Sequence, residues 1–235
     1  MGAENDISET LKGSLDCSTS GQKSRSVVVT GITGGIGSGK SVVSRILRLK
    51  GYHVYDCDHH AKVLMDSDRA FKTALCENVD EGVVTEEGDI DRCLLASILF
   101  SNPEKMDWVN KTVHAMVRAD ILRWIKETAI AYFGEIDGSM EGCREADVPL
   151  RIFIESAILK KAALDQICDR IWLVTAPEDV RIERVMQRNG LGIPQIKERM
   201  QSQQNEYDSL PSGRLDIIEN FGTNSLLSQI GYLLG

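Results

Sequence analysis

The sequence predicts an α/β fold with a central parallel sheet and one helical insertion. A glycine-rich loop stands between a β-branched run, Val27-Val28-Val29, and apolar positions at helical spacing over 42–47, which is the order strand, loop, helix. Nearly continuous apolar runs at 149–155 and 171–174 indicate further strands that are buried on both faces. Apolar residues at helical spacing over 103–133 predict a long helix between these strands. One core with one insertion accounts for the 235 residues.

The composition is that of a folded globular protein and disfavours several classes. Hydrophobic residues at 42% and charged residues at 26% indicate neither disorder nor a disulfide scaffold. The net charge of -8 argues against a nucleic-acid partner, because phosphate backbones require clustered Lys and Arg. No apolar run approaches the length of a membrane span, and the start of the chain lacks the apolar core of a signal peptide. We therefore expect no nucleic-acid partner and no membrane partner.

The six cysteines are scattered without a C-x-x-C pair, which favours reduced thiols over disulfides or a zinc site. They are Cys17, Cys57, Cys76, Cys93, Cys143 and Cys168. Reduced thiols predict a cytoplasmic protein. Residues 1–25 are polar without periodicity, so we expect a flexible N-terminal extension followed by a folded domain over 26–235.

The glycine-rich loop fits the phosphate-loop pattern: Gly34, four intervening residues, then Gly39-Lys40-Ser41. Glycines allow backbone N–H groups to surround phosphate oxygens, and the following helix adds its positive N-terminus. Lys40 can reach the β- and γ-phosphates, and the Ser41 hydroxyl can bind Mg²⁺. A glycine-rich turn without a ligand is disfavoured by the Lys-Ser pair in register. The predicted phosphate-binding residues are Gly35, Ile36, Gly37, Ser38, Gly39, Lys40 and Ser41.

Two carboxylates follow the second predicted strand, residues 52–55. Asp56 and Asp58 stand at the C-terminal end of that strand, where ligands collect in parallel sheets. If the strand continued that far, their spacing of two would place both side chains on one side. Alternatively an Asp caps the next helix, and we expect one to do so while the other is functional. Metal binding by His59-His60 is disfavoured, because adjacent helical residues do not face one site.

The long helix begins at Asn102-Pro103 and forms the centre of a predicted helical insertion over about 59–134. Asn110 and His114 are four residues apart on one face of that helix, where they can line a ligand cleft. A solvated polar stripe explains the spacing equally well. The acidic and glycine-bearing residues 134–147 then predict a surface loop.

Basic residues concentrate in the last third of this acidic chain. A helix opened by Pro177 and ended by Asn189-Gly190 carries Arg181, Arg184 and Arg188. A second helix is predicted over 194–204. The glycine-bearing break between the two predicts a lid over about 184–210 that closes on a triphosphate, although ordinary surface pairing explains some of these charges.

Glu155 closes the third predicted strand. Its carboxylate either orders Mg²⁺-bound water or caps a helix over 156–164. The last strand is predicted over 215–218, and a C-terminal helix over 226–234 closes the sheet.

Several separated stretches, in order from about residue 27 to the C-terminus, resemble the dephospho-coenzyme A kinase family. They are residues 31–41, Asp56-Cys57-Asp58 with Ala61, Asn102-Pro103-Glu104, 110–114, 155–159, 184–188, Arg199-Met200 with Gln203, and 216–220. The phosphate loop alone is generic, but the ordered set is specific. The chain departs from the family at Ala115, where many members have Pro, before Glu155, where a Pro-Leu-Leu run is missing, and in the long stretch 134–147.

The resemblance implies a P-loop kinase-like three-layer sandwich with an ATP-binding core, a helical domain for the CoA moiety and a lid. It implies ATP-dependent phosphorylation of the ribose 3′-hydroxyl of dephospho-CoA, the last step of CoA synthesis, with Mg²⁺ as cofactor. Asp58 would accept or orient the hydroxyl proton, and Arg188 would neutralise the transferring phosphoryl group. Arg184 is assigned to the nucleotide. Asp56, Asp58, Asn110 and His114 are assigned to the acceptor.

The residues bear on two other functions. Another small-metabolite kinase of the shikimate or gluconate type stays open, because a carboxylate pair after the second strand also occurs there. A GTPase-like switch needs a guanine-reading Asn-Lys-x-Asp, but Asn110-Lys111-Thr112 is followed by Val113 within a predicted helix. The residues make no prediction of an oligomeric state.

Overall fold

A computed structural model describes residues 26–137, 149–190, 192–203, 206–207 and 210–235. The predicted N-terminal extension, residues 1–25, and residues 138–147 of the predicted surface loop lie outside this part.

Five strands form one sheet in the order β2-β3-β1-β4-β5. They are β1 (Val27–Thr33), β2 (His53–Asp56), β3 (Leu150–Glu155), β4 (Arg170–Thr175) and β5 (Leu215–Glu219). The pairs β1 with β3, β1 with β4, and β4 with β5 are parallel. The predicted parallel sheet is therefore confirmed.

Eight helices accompany the strands in the described residues. They are α1 (Lys40–Leu49), α2 (Cys57–Ser67), α3 (Arg69–Asn78), α4 (Arg92–Ser101), α5 (Pro103–Asp137), α6 (Glu178–Asn189), α7 (Ile193–Ser202) and α8 (Leu226–Leu234). Single 3₁₀ turns lie at Glu81–Val83, Asp165–Ile167 and Ser212–Arg214. Within the described residues, no helix is both long and apolar enough to cross a membrane.

The core of the sheet packs under α1 and α8. Ile32 of the central strand β1 and Trp172 of β4 are buried against Val43 and Leu47 of α1 and Ile230 of α8. Val43 and Leu47 are four residues apart and lie on one face of α1. Burial removes this face from water and fixes α1 directly after the loop that precedes it. The start of α1 is thereby held at the C-terminal end of β1.

The chain divides into two compact units. Residues 56–124 form one unit, and residues up to 55 together with 125–235 form the other, which contains the sheet. The division falls inside α5. The helical unit has its own apolar core, whose buried members are Phe71, Leu75, Val79, Val83, Ile90, Leu95 and Val109.

Two local predictions are wrong, and one condition is not met. The predicted helix over 156–164 is a series of turns, and Ala163 near its end adopts φ +52°, which a right-handed helix does not accommodate. Glu155 therefore caps no helix. Residues 134–137 continue α5 rather than forming a loop, since the buried face of that helix extends as far as Phe133. β2 ends at Asp56 and α2 begins at Cys57, so no strand passes through Asp58.

Candidate active site

The glycine-rich loop spans the gap between the end of β1 at Thr33 and the start of α1 at Lys40. Gly37 and Gly39 both adopt left-handed conformations, with φ +79° and +97°. A Cβ at Gly37 would lie 2.6 Å from the Arg181 carbonyl oxygen, and one at Gly39 would overlap Asn220 Nδ2. Conformation and close approach therefore both require glycine at these two positions.

Lys40 lies along the first residues of this loop. Its Nζ donates to the Gly34 carbonyl at 2.6 Å and is 3.4 Å from the Gly35 carbonyl. Ser41, the next residue, is exposed, whereas the Ser38 hydroxyl is buried and has no hydrogen-bond partner among the described residues. The loop thus carries one ammonium group and one unsatisfied hydroxyl at the N-terminus of a ten-residue helix.

Arg184 and Asn220 hold the carbonyl side of the loop. Arg184 Nη1 is 3.3 Å from the Gly37 carbonyl oxygen and 3.4 Å from that of Ser38, and its Nη2 donates to the Asn220 carbonyl at 2.9 Å. Asn220 Nδ2 donates to the Ser38 carbonyl at 2.8 Å. The predicted nucleotide-binding residue Arg184 therefore contacts carbonyl oxygens of the loop itself.

Ile36, at the middle of the loop, is held on both sides. Its N–H donates to Gln203 Oε1 at 2.9 Å, and its carbonyl accepts from Arg181 Nε at 2.9 Å. Neither Arg181 nor Gln203 was predicted as a site residue. Gln203 belongs to the stretches that carry the family resemblance. Arg181 shares one face of α6 with Arg184, three residues later, so helical spacing was a signal for it.

Arg188 lies apart from these contacts. It is exposed in the last turn of α6, and its Nε donates to the side chain of the next residue, Asn189, at 2.7 Å. Among the described residues, Arg188 forms no hydrogen bond with the loop, so its predicted role at the transferring phosphate stays a prediction.

Arg181 is a half-buried cation. Burial lowers its pKa, while Tyr207 and Glu178 act in the opposite direction; a guanidinium nevertheless stays protonated at neutral pH. Burial also raises the pKa of the Tyr207 hydroxyl, which donates to the Ala157 carbonyl at 3.4 Å. A positive charge with reduced solvation interacts more strongly with an anion than an exposed one does.

The predicted acceptor carboxylates lie in the helical unit. Asp56 is the N-cap of α2, and its Oδ1 accepts the His59 N–H at 3.0 Å, which confirms that one of the two acids caps a helix. Asp58 is exposed in the first turn of α2. The condition for placing both side chains on one side of a strand is not met, because the helix begins between them.

Asn110 and His114 lie one turn apart on α5, and both side chains are half-buried. In the same unit, His60 Nδ1 is 3.5 Å from Asp120 Oδ2, and Asp120 also pairs with Arg123. Half-burial of Asn110 and His114 distinguishes them from a fully solvated polar stripe.

Comparison with known proteins gives one consistent family. The family model described as dephospho-CoA kinase matches residues 28–225. A dephospho-CoA kinase of Porphyromonas gingivalis is 35% identical over 204 residues, covering 87% of this chain and 91% of the relative. One from Bacteroides fragilis is 33% identical over 200 residues, covering 85% of this chain and 88% of the relative.

Solved structures give the same fold. A crystal structure of a Thermus thermophilus protein has a TM-score of 0.67 and 27% identity, covering 89% of this chain and 95% of that one. A dephospho-CoA kinase from Campylobacter jejuni has a TM-score of 0.57 and 21% identity, covering 88% and 96%. The predicted P-loop kinase-like arrangement of a parallel sheet with flanking helices is confirmed. With its family model matched over most of its length, the chain belongs to the dephospho-CoA kinase family of phosphotransferases.

Proposed function

We propose that this chain transfers the γ-phosphoryl group of ATP to the ribose 3′-hydroxyl of dephospho-CoA, giving coenzyme A and ADP in the last step of CoA synthesis. Family membership supports the substrate. The observation that carries the reaction class is the position of Lys40, whose ammonium group lies against the Gly34 carbonyl at the mouth of a phosphate loop.

The loop and the start of α1 supply positive charge and hydrogen-bond donors for a triphosphate. The loop carbonyls at Ile36, Gly37 and Ser38 are engaged by arginine and asparagine donors. The Ile36 N–H donates to Gln203 and the Ser38 N–H to the Gly35 carbonyl, so the remaining loop N–H groups and the α1 N-terminus are the donors proposed for phosphate oxygens. Lys40 then neutralises the β- and γ-phosphates. In this proposal Arg184 acts on the nucleotide by fixing the loop, and Arg188 acts when the lid, about 184–210, closes.

The residues present fit Mg²⁺ that arrives with the nucleotide. Mg²⁺ keeps several waters and takes one or two protein oxygens together with phosphate oxygens. The exposed Ser41 hydroxyl offers one such oxygen, and the described residues hold no cluster of three or more His, Cys, Asp or Glu that would form an all-protein cage. Mg²⁺ bound through Ser41 would neutralise charge on the phosphate oxygens during transfer.

Asp58 is the proposed base or orienting group for the acceptor hydroxyl. One carboxylate oxygen of Asp56 is already occupied by the helix cap, whereas Asp58 is exposed in the first turn of α2 and makes no capping contact. A carboxylate beside a hydroxyl nucleophile accepts its proton as the phosphoryl group is transferred. We further propose that Asn110 and His114 bind the acceptor and that the insertion, about 59–134, takes the CoA moiety.

The proposed location is the cytoplasm. The cysteines in the described part of the chain form no disulfide there; they are Cys57, Cys76, Cys93 and Cys168. Free thiols are the state that a reducing compartment maintains, which supports the proposal.

The deciding experiment measures ADP release from ATP and Mg²⁺ with dephospho-CoA, shikimate or gluconate as acceptor. We expect strong stimulation by dephospho-CoA alone and phosphorylation at its ribose 3′-hydroxyl, identified by mass spectrometry of the product. Equal turnover of shikimate or gluconate would instead favour the alternative small-metabolite kinase.

A further inference from the structure

Ile36 joins the phosphate loop to two residues at the predicted lid, Arg181 just before it and Gln203 within it. Its N–H donates to Gln203, immediately after α7, and its carbonyl accepts from Arg181 in the first turn of α6. The two contacts bridge 167 and 145 residues of sequence, respectively. One residue at the middle of the loop is therefore fixed by two side chains that come from opposite ends of the α6–α7 pair.

These two contacts leave other donor atoms of Gln203 and Arg181 available for hydrogen bonding. Because an N–H must face an oxygen, Gln203 presents Oε1 to Ile36, and its Nε2 keeps both hydrogens for another acceptor. Arg181 uses only Nε on Ile36, which leaves its two terminal nitrogens. Among the described residues, neither the Gln203 amide nitrogen nor these guanidinium nitrogens donate to a protein acceptor.

The donors lie at one particular end of the loop. The Gly35–Ile36 peptide has its carbonyl 3.4 Å from Lys40 Nζ, while its N–H faces Gln203. A Cβ at Gly35 would overlap Arg181 Nη2, so the guanidinium covers this same peptide. The lysine of a phosphate loop reaches the β- and γ-phosphates, so this peptide marks the γ-phosphate end.

We propose that Gln203 and Arg181 are phosphoryl-contacting residues, which donate from Nε2 and from the terminal guanidinium nitrogens to the γ-phosphate of the bound nucleotide. The inference rests on the proposed use of ATP at this loop and assigns two contacts beyond Lys40 and the loop amides. An oxyanion with several acceptor oxygens suits a half-buried guanidinium together with an amide, because charge-assisted hydrogen bonds satisfy both donors. The pair would distinguish a triphosphate from a diphosphate.

The competing explanation is that Gln203 only anchors the loop through its oxygen. Gln203→Glu separates the two, because the carboxylate still accepts the Ile36 N–H but places negative charge where the amide donor was. Gln201→Glu is the matched control: it makes the same substitution two residues earlier at an exposed position of α7. Arg181→Lys provides a second arm, which keeps the charge and removes the branched guanidinium donors.

The test measures the affinities for Mg²⁺-AMP-PNP and Mg²⁺-ADP by titration calorimetry, with thermal melts alongside. We expect Gln203→Glu to weaken AMP-PNP binding by at least about tenfold and ADP binding by less than about twofold, given the strength of hydrogen bonds to charged groups. Arg181→Lys should likewise lower the ratio of AMP-PNP affinity to ADP affinity, and Gln201→Glu should leave that ratio unchanged.

An unchanged ratio of AMP-PNP to ADP affinity in both Gln203→Glu and Arg181→Lys would overturn the proposal and leave Gln203 as a loop anchor. If Gln203→Glu fails to fold, Gln203→Met, which lacks any amide donor, is read against the same ratio. The measurement needs no acceptor, so it stays informative if wild-type protein fails to phosphorylate dephospho-CoA, the result that would refute the proposed function instead.

Discussion

Gly39→Ala tests whether the phosphate loop is shaped by its neighbours or only by its own glycines. Gly39 has φ +97°, and an added Cβ would overlap Asn220 Nδ2, which donates to the Ser38 carbonyl. Gly51 is the matched control, because it has a similar φ of +87° but no atom within 4 Å of an added Cβ. Both glycines lie in the unit that contains the sheet, one at each end of α1.

The expected magnitudes follow from this difference. A non-glycine residue in the left-handed region costs about 1–2 kcal/mol, offset by about 0.4–1 kcal/mol because alanine restricts the unfolded chain. Gly51→Ala should therefore cost on the order of 0.5–1 kcal/mol. Gly39→Ala must also displace Asn220 and lose its hydrogen bond, which adds about 0.5–1.5 kcal/mol. For a chain of this size, that addition corresponds to a Tm lower by about 1–6 °C than that of Gly51→Ala.

Thermal melting of both variants, alone and in an Asn220→Ala background, provides the assay, with ADP affinity as a second measurement. Removing the Asn220 side chain leaves an added Cβ at residue 39 without its collision partner, so Gly39→Ala should then cost no more than Gly51→Ala. ADP affinity should fall only for Gly39→Ala. The reasoning is refuted if Gly39→Ala melts no lower than Gly51→Ala, or if its extra cost persists in the Asn220→Ala background.

Two further predictions concern the chemistry of transfer. Lys40→Met should abolish ADP release, because it removes the cation from the β- and γ-phosphates. Lys50→Met, at the exposed C-terminus of α1, is the control and should keep its activity. Near wild-type turnover of Lys40→Met would show that the loop is not the catalytic phosphate site. Asp58→Asn should lower turnover by about 10²- to 10⁴-fold with ADP affinity nearly unchanged, as for a positioned base. Its melting temperature separates this from a structural effect, for which the cap variant Asp56→Ala, expected to lose about 0.5–2 kcal/mol, is the reference. Most of the turnover surviving in a normally melting Asp58→Asn protein would contradict the base assignment.

The features that were predictable from sequence depend on neighbouring residues. The phosphate loop is specified by its glycine spacing between a strand and a helix, and α6 ends where Gly190 takes φ +64°. α5 begins at Pro103, as a proline in a first turn indicates. In each case the local pattern and the tertiary structure agree, which explains why these elements were found.

The features that were missed depend on residues far apart in the chain. Helical spacing places Arg181, Arg184 and Arg188 on one face of α6, but it does not indicate which turn of that helix meets the loop, so Arg188 in the last turn was favoured at the phosphate. Residues 156–164 have a helix-like composition, yet tertiary contacts impose turns there, with Tyr207 on the Ala157 carbonyl and Glu206 on the Lys161 N–H. Propensity is a weak prior against such contacts.

The distance between the loop and its supporting residues has a consequence for folding during synthesis. The Ser38 carbonyl is held by Asn220, 182 residues later in the chain. At roughly 5–20 residues per second, about 10–40 s of translation separate the two. A nascent chain that ends before Gln203 carries the whole phosphate-loop sequence but lacks Gln203 and Asn220, two of the side chains that hold Ile36 and Ser38 in place. The loop is therefore held in this way only once Asn220 has been synthesised, so ATP that binds the held loop can stabilise the protein only after all five strands have been made.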